Sequence, residues 1–400
     1  MKIFKVKKLT DRFLAIAAAA FVFAGSALAA DEPIVLRTMG SLFFGGTVET
    51  MDDGETFHGD HGYAQFFIPM DARDYPLIMW HGIGQSGRSY ESTPDGREGF
   101  MAIMPRRGWA AYIIDQPRRG RAGRTLAANT GSDIPTALYE SSAWDAFRNG
   151  VWDAPHGKAP YFYPGVQFPR TPDAVDQFFR QQTPDTGVEP RDNAYRRIMG
   201  RTMNALLAQT GPAILVTHSN SGQYGWATAI EAPEGALKAI IAFEPGQVCL
   251  PDGEPLPNVA HGDEASWKAE LPFRVPESAF TKLTKLPILI IYGDNIAAEP
   301  SEIFNVNVWR LSYTWAKIFV EEINKRGGDA RLLHLPETGI KGNTHAPFAD
   351  LNNLEIADIV EKYLHEKKLD GVSAPHKGPK QKELKEYTIP LAEERPIHKP

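Results

Sequence analysis

Residues 216–222 read VTHSNSG. A serine hydroxyl attacks an acyl carbon only if it is held out toward substrate and a base takes its proton. The run AILV precedes this stretch and GQYGWATAIEA follows it. Strand, sharp turn and helix in that order present a serine oxygen at the carboxyl edge of a sheet. Two serines compete. Strand and helix pass very close in such a turn, so the positions two before and two after the nucleophile must be small. For Ser219 these are Thr217 and Ser221; for Ser221 they are Ser219 and the bulky Gln223. The spacing selects Ser219 and makes Ser221 a packing substitute for glycine. A helix capped by Ser or Asn after a strand reads the same way without chemistry, so the companions carry weight.

Upstream, LIMWHGIGQSG (77–87) puts a His-Gly turn directly after a strand-like run. That is where backbone donors for an oxyanion are expected, the N–H groups of Ile83 and Asn220, each worth ~3 kcal/mol in a transition state. Downstream, GIKGNTHAPF (339–348) places His345 in a Gly-rich loop after the last strand-like run. It is the expected base, whereas His334 falls within that run. An imidazole base needs a carboxylate to fix its tautomer and support its cation. Two candidates close strands: Glu244 ends AIIAFEP and Asp294 ends LPILIIYGD. Both keep the chain order Ser, acid, His, and the residues alone leave both open.

These groups need a frame. IVLRTMGSLFF, YAQFFIP, YPLIMW, GWAAYIID, GPAILVT, LKAIIAF, LPILIIYG and ARLLHLP are apolar runs ending in turn residues. Such runs suit a mostly parallel sheet covered on both faces. Between them, DNAYRRIMGRTMNALLAQTG and VWRLSYTWAKIFVEEINKRGG carry helical patterns that stop at glycine. NNLEIADIVEKYLHEKK begins with an Asn cap and carries a basic end. Strands alternating with helices predict an α/β fold. Two stretches break the alternation, 131–191 and 246–280, and both are expected to be insertions that cap a pocket. The tail 370–400, rich in Lys, Glu and Pro, is expected to be an exposed or disordered arm.

The chain opens with a basic stretch, an apolar run over 13–24 and the small-residue pattern Ala27-Leu28-Ala29. This order predicts a secretory signal over 1–29 and a periplasmic or secreted protein, with the main domain over 30–369 and no membrane insertion after cleavage. Cys249 is the only cysteine, so no internal disulfide forms. His58 and His61, in HGDHGY, fall in an expected loop before YAQFFIP, and no cluster has metal spacing. No metal or organic cofactor is expected. The net charge of −6 spread over 400 residues gives no reason to expect nucleic acid.

The motifs HGIGQSGRSYESTPDGREGF, IDQPRRGRAG, VTHSNSG, AFEPG and GNTHAPFADLNN together resemble the α/β-hydrolase superfamily over nearly the whole mature chain, and within it bacterial secreted esterases with a Ser-Glu-His triad. That resemblance implies Ser219 as nucleophile, His345 as base and Glu244 as acid, with Asp294 the alternative. The elbow glycines are missing and a long insertion follows Glu244, which bears on the placement of the acid. A small-molecule ester is the expected substrate. An amidase or lactonase would use the same groups, and a non-catalytic binding protein could use the same scaffold. An Asp where Ser219 stands would be expected of a dehalogenase. Oligomeric state is not legible.

Overall fold

A computed structural model describes residues 32–123, 138–152 and 160–380 and holds twelve strands, eight of which are the apolar runs above. In chain order they are β1 (Leu36–Thr50), β2 (Thr56–Pro69), β3 (Leu77–Trp80), β4 (Ala111–Asp115), β5 (Gly150–Val151), β6 (Tyr161–Phe162), β7 (Ala213–His218), β8 (Leu237–Phe243), β9 (Cys249–Pro251), β10 (Phe273–Val275), β11 (Pro287–Tyr292) and β12 (Asp329–His334). Eight of them form one sheet in the order β1-β2-β4-β3-β7-β8-β11-β12. From β4 to β12 every neighbouring pair is parallel; β1 and β2 are antiparallel additions at one edge.

Burial follows from that topology. Ile113, Met79, Val216, Ile241 and Leu289 lie in one register row and share a core with helices Phe100–Arg106 and Asn353–Glu366. The neighbouring row, Tyr112, Ile78, Leu215, Ile240 and Ile288, faces helices Asn193–Thr210, Ser221–Glu231 and Phe304–Lys325. Both faces of the central strands are therefore dry, which is why these runs show no polar alternation. β1 does alternate, with Met39 and Phe43 exposed on its outer face.

The structure revises two expectations, on His58/His61 and on the Asn352 cap, and adds detail to others. β2 begins at Thr56, so His58 and His61 lie within a strand and not in a loop before it. A long hairpin lets β2 run back beyond the part that pairs with β4, residues 63–67. Residues 138–152 and 160–191 of the first insertion pack against one face of the sheet through Trp144, Phe147, Phe168 and Phe178; residues 131–137 and 153–159 lie outside the described residues. Residues 246–280 add the small parallel pair β9–β10 and bury Val248, Cys249, Phe273 and Phe280 in the core of the other face. The described part of the tail, residues 370–380, is mostly exposed yet tied to the domain. It runs back over the domain: His376 N–H donates to the Arg73 carbonyl, its Nε2 meets the Tyr112 hydroxyl at 2.9 Å, and Lys380 N–H reaches the Gln209 carbonyl. Residues 381–400 and the expected signal over 1–29 lie outside the described residues. Asn352 stands at a helix start, but its side chain bonds Asn343 and Glu355 instead of capping the helix.

Candidate active site

Parallel strands end on one edge, so the residues just past Trp80, His218, Phe243 and Tyr292 gather there. This is the edge at which open α/β sheets hold ligands. β7 ends at His218 and the next helix starts at Ser221. Between them Ser219 has φ +54°, in the left-handed region. A β-carbon-bearing residue held there costs about 1–3 kcal/mol and persists only when its surroundings impose it. The surroundings are visible. Ser219 N–H donates to the Phe243 carbonyl at 2.9 Å, and the Ser219 carbonyl accepts from the N–H groups of Gly222 and Gly246.

The missing elbow glycines are replaced further along. A β-carbon at Gly222 would lie 2.5 Å from Pro245 Cβ, and one at Gly225 would lie 2.8 Å from Thr217 Cγ2. Gly222 in the first helical turn thus lets the helix approach Pro245 beyond β8, and Gly225 in the second lets it approach Thr217 of β7. Ser221 is fully buried. Its Oγ accepts from His218 N–H and lies 2.9 Å from the carbonyls of Trp80 and His218. Its hydroxyl is committed to the interior.

The turn after β3 is pinned by His81. Its Nδ1–H donates to the Gly82 carbonyl at 2.8 Å, which leaves Nε2 to accept from Gln116 N–H at 3.2 Å. Burial pushes this imidazole down to about 4, so it stays neutral. Gly82 sits against the elbow; a β-carbon there would be 2.9 Å from Ser219 Cβ. Among the described residues, the N–H groups of Ile83 and Asn220 have no hydrogen-bond partner.

Glu244 follows β8 at φ +44° and is fully buried. Its Oε2 lies 2.5 Å from His345 Nδ1, and its Oε1 accepts from Gly293 N–H at 2.6 Å. Because a carboxylate only accepts, His345 carries its proton on Nδ1 and leaves Nε2 bare. Burial alone would raise the Glu244 carboxyl. The Arg148 charge and the His345 hydrogen bond outweigh it and hold the group at about 2. For His345 burial wins over the glutamate, and its pKa lies below the ordinary 6.5. The loop bearing His345 is docked on the elbow: His218 Nε2–H donates to the His345 carbonyl at 2.9 Å. Among the described residues no hydrogen bond joins Ser219 Oγ to His345 Nε2; such contacts often tighten only with substrate bound.

Asp294, the other candidate acid, does not touch the imidazole. Its Oδ2 accepts from Gly342 N–H and its Oδ1 from Asn295 N–H, and its own N–H donates to the Asn343 carbonyl. It holds the loop that carries His345. Asp350 does the same from the far side, accepting from Thr344 N–H, Thr344 Oγ1 and Asn343 Nδ2. Arg148 escaped the sequence reading altogether. It belongs to the first insertion and grips both Glu244 oxygens. Nothing in AFRNG marks it as a partner of a residue 96 positions away. Among the described residues, no cluster of three or more His, Cys, Asp or Glu side chains could hold a metal ion, and no helix is long and apolar enough to cross a membrane.

No protein-family profile matches the chain. A protein named "Probable secreted lipase phiG", from a fungal strain (ATCC 74256), is 28% identical over 325 residues, spanning 74% of this chain and 84% of its own. A bacterial esterase of known atomic-resolution structure is 27% identical and superposes with a TM-score of 0.66, covering 84% of this chain and 98% of its own. With the sheet order above, these likenesses make the chain an esterase-like protein of the α/β-hydrolase fold.

Proposed function

We propose that this esterase-like α/β-hydrolase cleaves carboxylic esters through an acyl-enzyme on Ser219. His345 Nε2 takes the hydroxyl proton as Ser219 Oγ bonds to the acyl carbon, and returns it to the leaving alcohol. Glu244 holds the imidazole in its Nδ1–H tautomer and supports the cation. The N–H groups of Ile83 and Asn220 receive the oxyanion. Water, activated by the same histidine, then releases the acid. The observation that carries this reading is Ser219 in a left-handed conformation between β7 and a helix, with the His345 loop docked on the same turn and the His345 ring bonded to a buried glutamate.

The substrate class is tested with a panel of p-nitrophenyl esters, lactones and aryl amides. Turnover of the esters with kcat/KM well above that for the amides and lactones is expected. Preference for amides or lactones would replace esterase by amidase or lactonase. No turnover with any of them would favour a binding role for the scaffold.

The base role has a pH signature. His345 acts only as the neutral imidazole, so activity is present above its pKa and lost as pH falls through it. Burial depresses that pKa below 6.5, so the acidic midpoint of kcat/KM is expected below pH 6.5. A midpoint at pH 7 or above, or a profile flat down to pH 4, would contradict the assignment.

The basic, apolar and small-residue order of residues 1–29 supports export, with cleavage after Ala29. Amino-terminal sequencing of the protein from periplasm or medium should begin at Ala30. An intact Met1 on cytoplasmic protein would overturn export.

A further inference from the structure

We propose that Arg148 is a positioning residue for the acid, fixing both oxygens of Glu244, and that the insertion bearing it is thereby part of the catalytic apparatus. The proposal rests on the reading of Ser219, His345 and Glu244 given above. The Glu244 carboxylate offers about four lone-pair sites, and all are filled. Oε1 accepts from Arg148 Nη2 at 2.5 Å and Gly293 N–H at 2.6 Å; Oε2 accepts from Arg148 Nη1 at 2.8 Å and faces His345 Nδ1 at 2.5 Å. The guanidinium fork leaves the carboxylate one orientation, with Oε2 turned to the imidazole.

The need for a cation follows from depth. Glu244 and Arg148 are 0% and 3% exposed. A lone buried carboxylate tends to take up a proton. A protonated acid could neither support an imidazolium nor hold the tautomer reliably. Arginine does not deprotonate, so it keeps Glu244 charged. Arg148 is itself fixed, at φ +53°. Its Nε–H donates to the Asp294 carbonyl at 2.9 Å. Its guanidinium lies 5.4 Å from the Trp309 ring centroid; that ring packs 3.9 Å from the His345 ring, and its Nε1–H donates to the Ala146 carbonyl. Asp294 therefore holds Arg148 through its carbonyl and the histidine loop through its N–H and carboxylate.

The arrangement has a cost with a measurable sign. A cation beside Glu244 also disfavours the imidazolium, so Arg148 holds the base neutral at lower pH. The titratable and charged neighbours of His345 are Glu244, Arg148 and the His218 ring, 4.5 Å from the His345 ring; the Glu244 charge is felt in turn by Tyr292 and Asp350. Removing Arg148 takes a positive charge away from the coupled Glu244–His345 pair, which then takes up a proton at higher pH whichever member holds it, so the acidic midpoint of kcat/KM should rise. A merely structural arginine would lower the rate without moving that midpoint.

The test uses the full mature protein, with folding checked by near-UV circular dichroism and Ser219 reactivity by a fluorophosphonate. Arg148→Met is expected to lower kcat by about 10²-fold, the scale of a misplaced catalytic group, and to move the midpoint upward by roughly one pH unit. Arg148→Lys keeps the charge but not the fork: kcat should fall while the midpoint stays near that of the parent. In a Glu244→Gln background, Arg148→Met should cost little more, because its target is already gone. If Arg148→Met does not fold, the Lys variant and the double variant carry the test. An unmoved midpoint in folded Arg148→Met, a Lys variant indistinguishable from the parent, or a full multiplicative loss in the double variant would each overturn the proposal. Absence of fluorophosphonate labelling in the parent would remove the esterase reading itself, an outcome distinct from labelling that persists with an unmoved midpoint.

Discussion

Ser219→Ala is expected to leave ester turnover near background, a loss on the order of 10⁴-fold or more. The side chain removed is small and 7% exposed, and no hydrogen bond among the described residues uses its Oγ, so stability should change little. The backbone conformation is imposed from outside by Phe243, Gly222 and Gly246, and alanine can be held in it as serine is. Ser221→Ala should behave in the opposite way. It removes a hydroxyl that satisfies His218 N–H in the interior, costing about 1–3 kcal/mol of stability, yet the folded variant should retain substantial activity. Denaturant unfolding beside initial rates separates the two effects. An active Ser219→Ala with an inactive, well-folded Ser221→Ala would show that the wrong serine has been assigned.

Glu244→Gln carries the second large effect. An amide can still accept from His345 Nδ1–H on one side. Its NH₂ then faces the donors Arg148 Nη2 and Gly293 N–H, which met an oxygen before. The amide must either suffer that donor clash or turn its NH₂ to the imidazole and reverse the tautomer. Either way the imidazolium loses its counter-charge. Losses of about 10⁴-fold in kcat are the scale for such a change. Asp294→Asn is expected to cost about tenfold or less, because the group never touches the imidazole. Its acceptor for Gly342 N–H or for Asn295 N–H survives as the amide oxygen. A severe loss confined to the Asp294 variant, with both proteins folded, would reverse the assignment of the acid.

The positions of the large apolar strands were legible because burial on both faces leaves no polar residues in them. AILV, AIIAF and PILIIY can hardly be anything but interior strand once turn residues bound them. The edge was harder. β2 runs back through His58, Gly59 and Gly62, residues that look like loop, because a hairpin partner sets its length and not its own apolarity. The elbow was legible through Thr217 and Ser221 as small flanks. That Gly222 and Gly225 supply the close approach depends on where Pro245 and Thr217 lie in space, which no local pattern states. Glu244 stood out as a carboxylate directly after a buried strand, but only the family resemblance ranked it above its rival. Asp294 looked equally apt for the same reason, and it is indeed placed next door, on the loop and not on the ring. Arg148 was invisible, since its meaning comes wholly from a contact made by an irregular insertion.

Incubation of the mature protein with a fluorophosphonate, followed by mass spectrometry of its peptides, tests the central claim most directly. One adduct per chain is expected, on Ser219, forming more slowly as pH drops through the His345 transition and much more slowly in Glu244→Gln. An adduct on Ser221, or no adduct on folded protein at neutral pH, would contradict it.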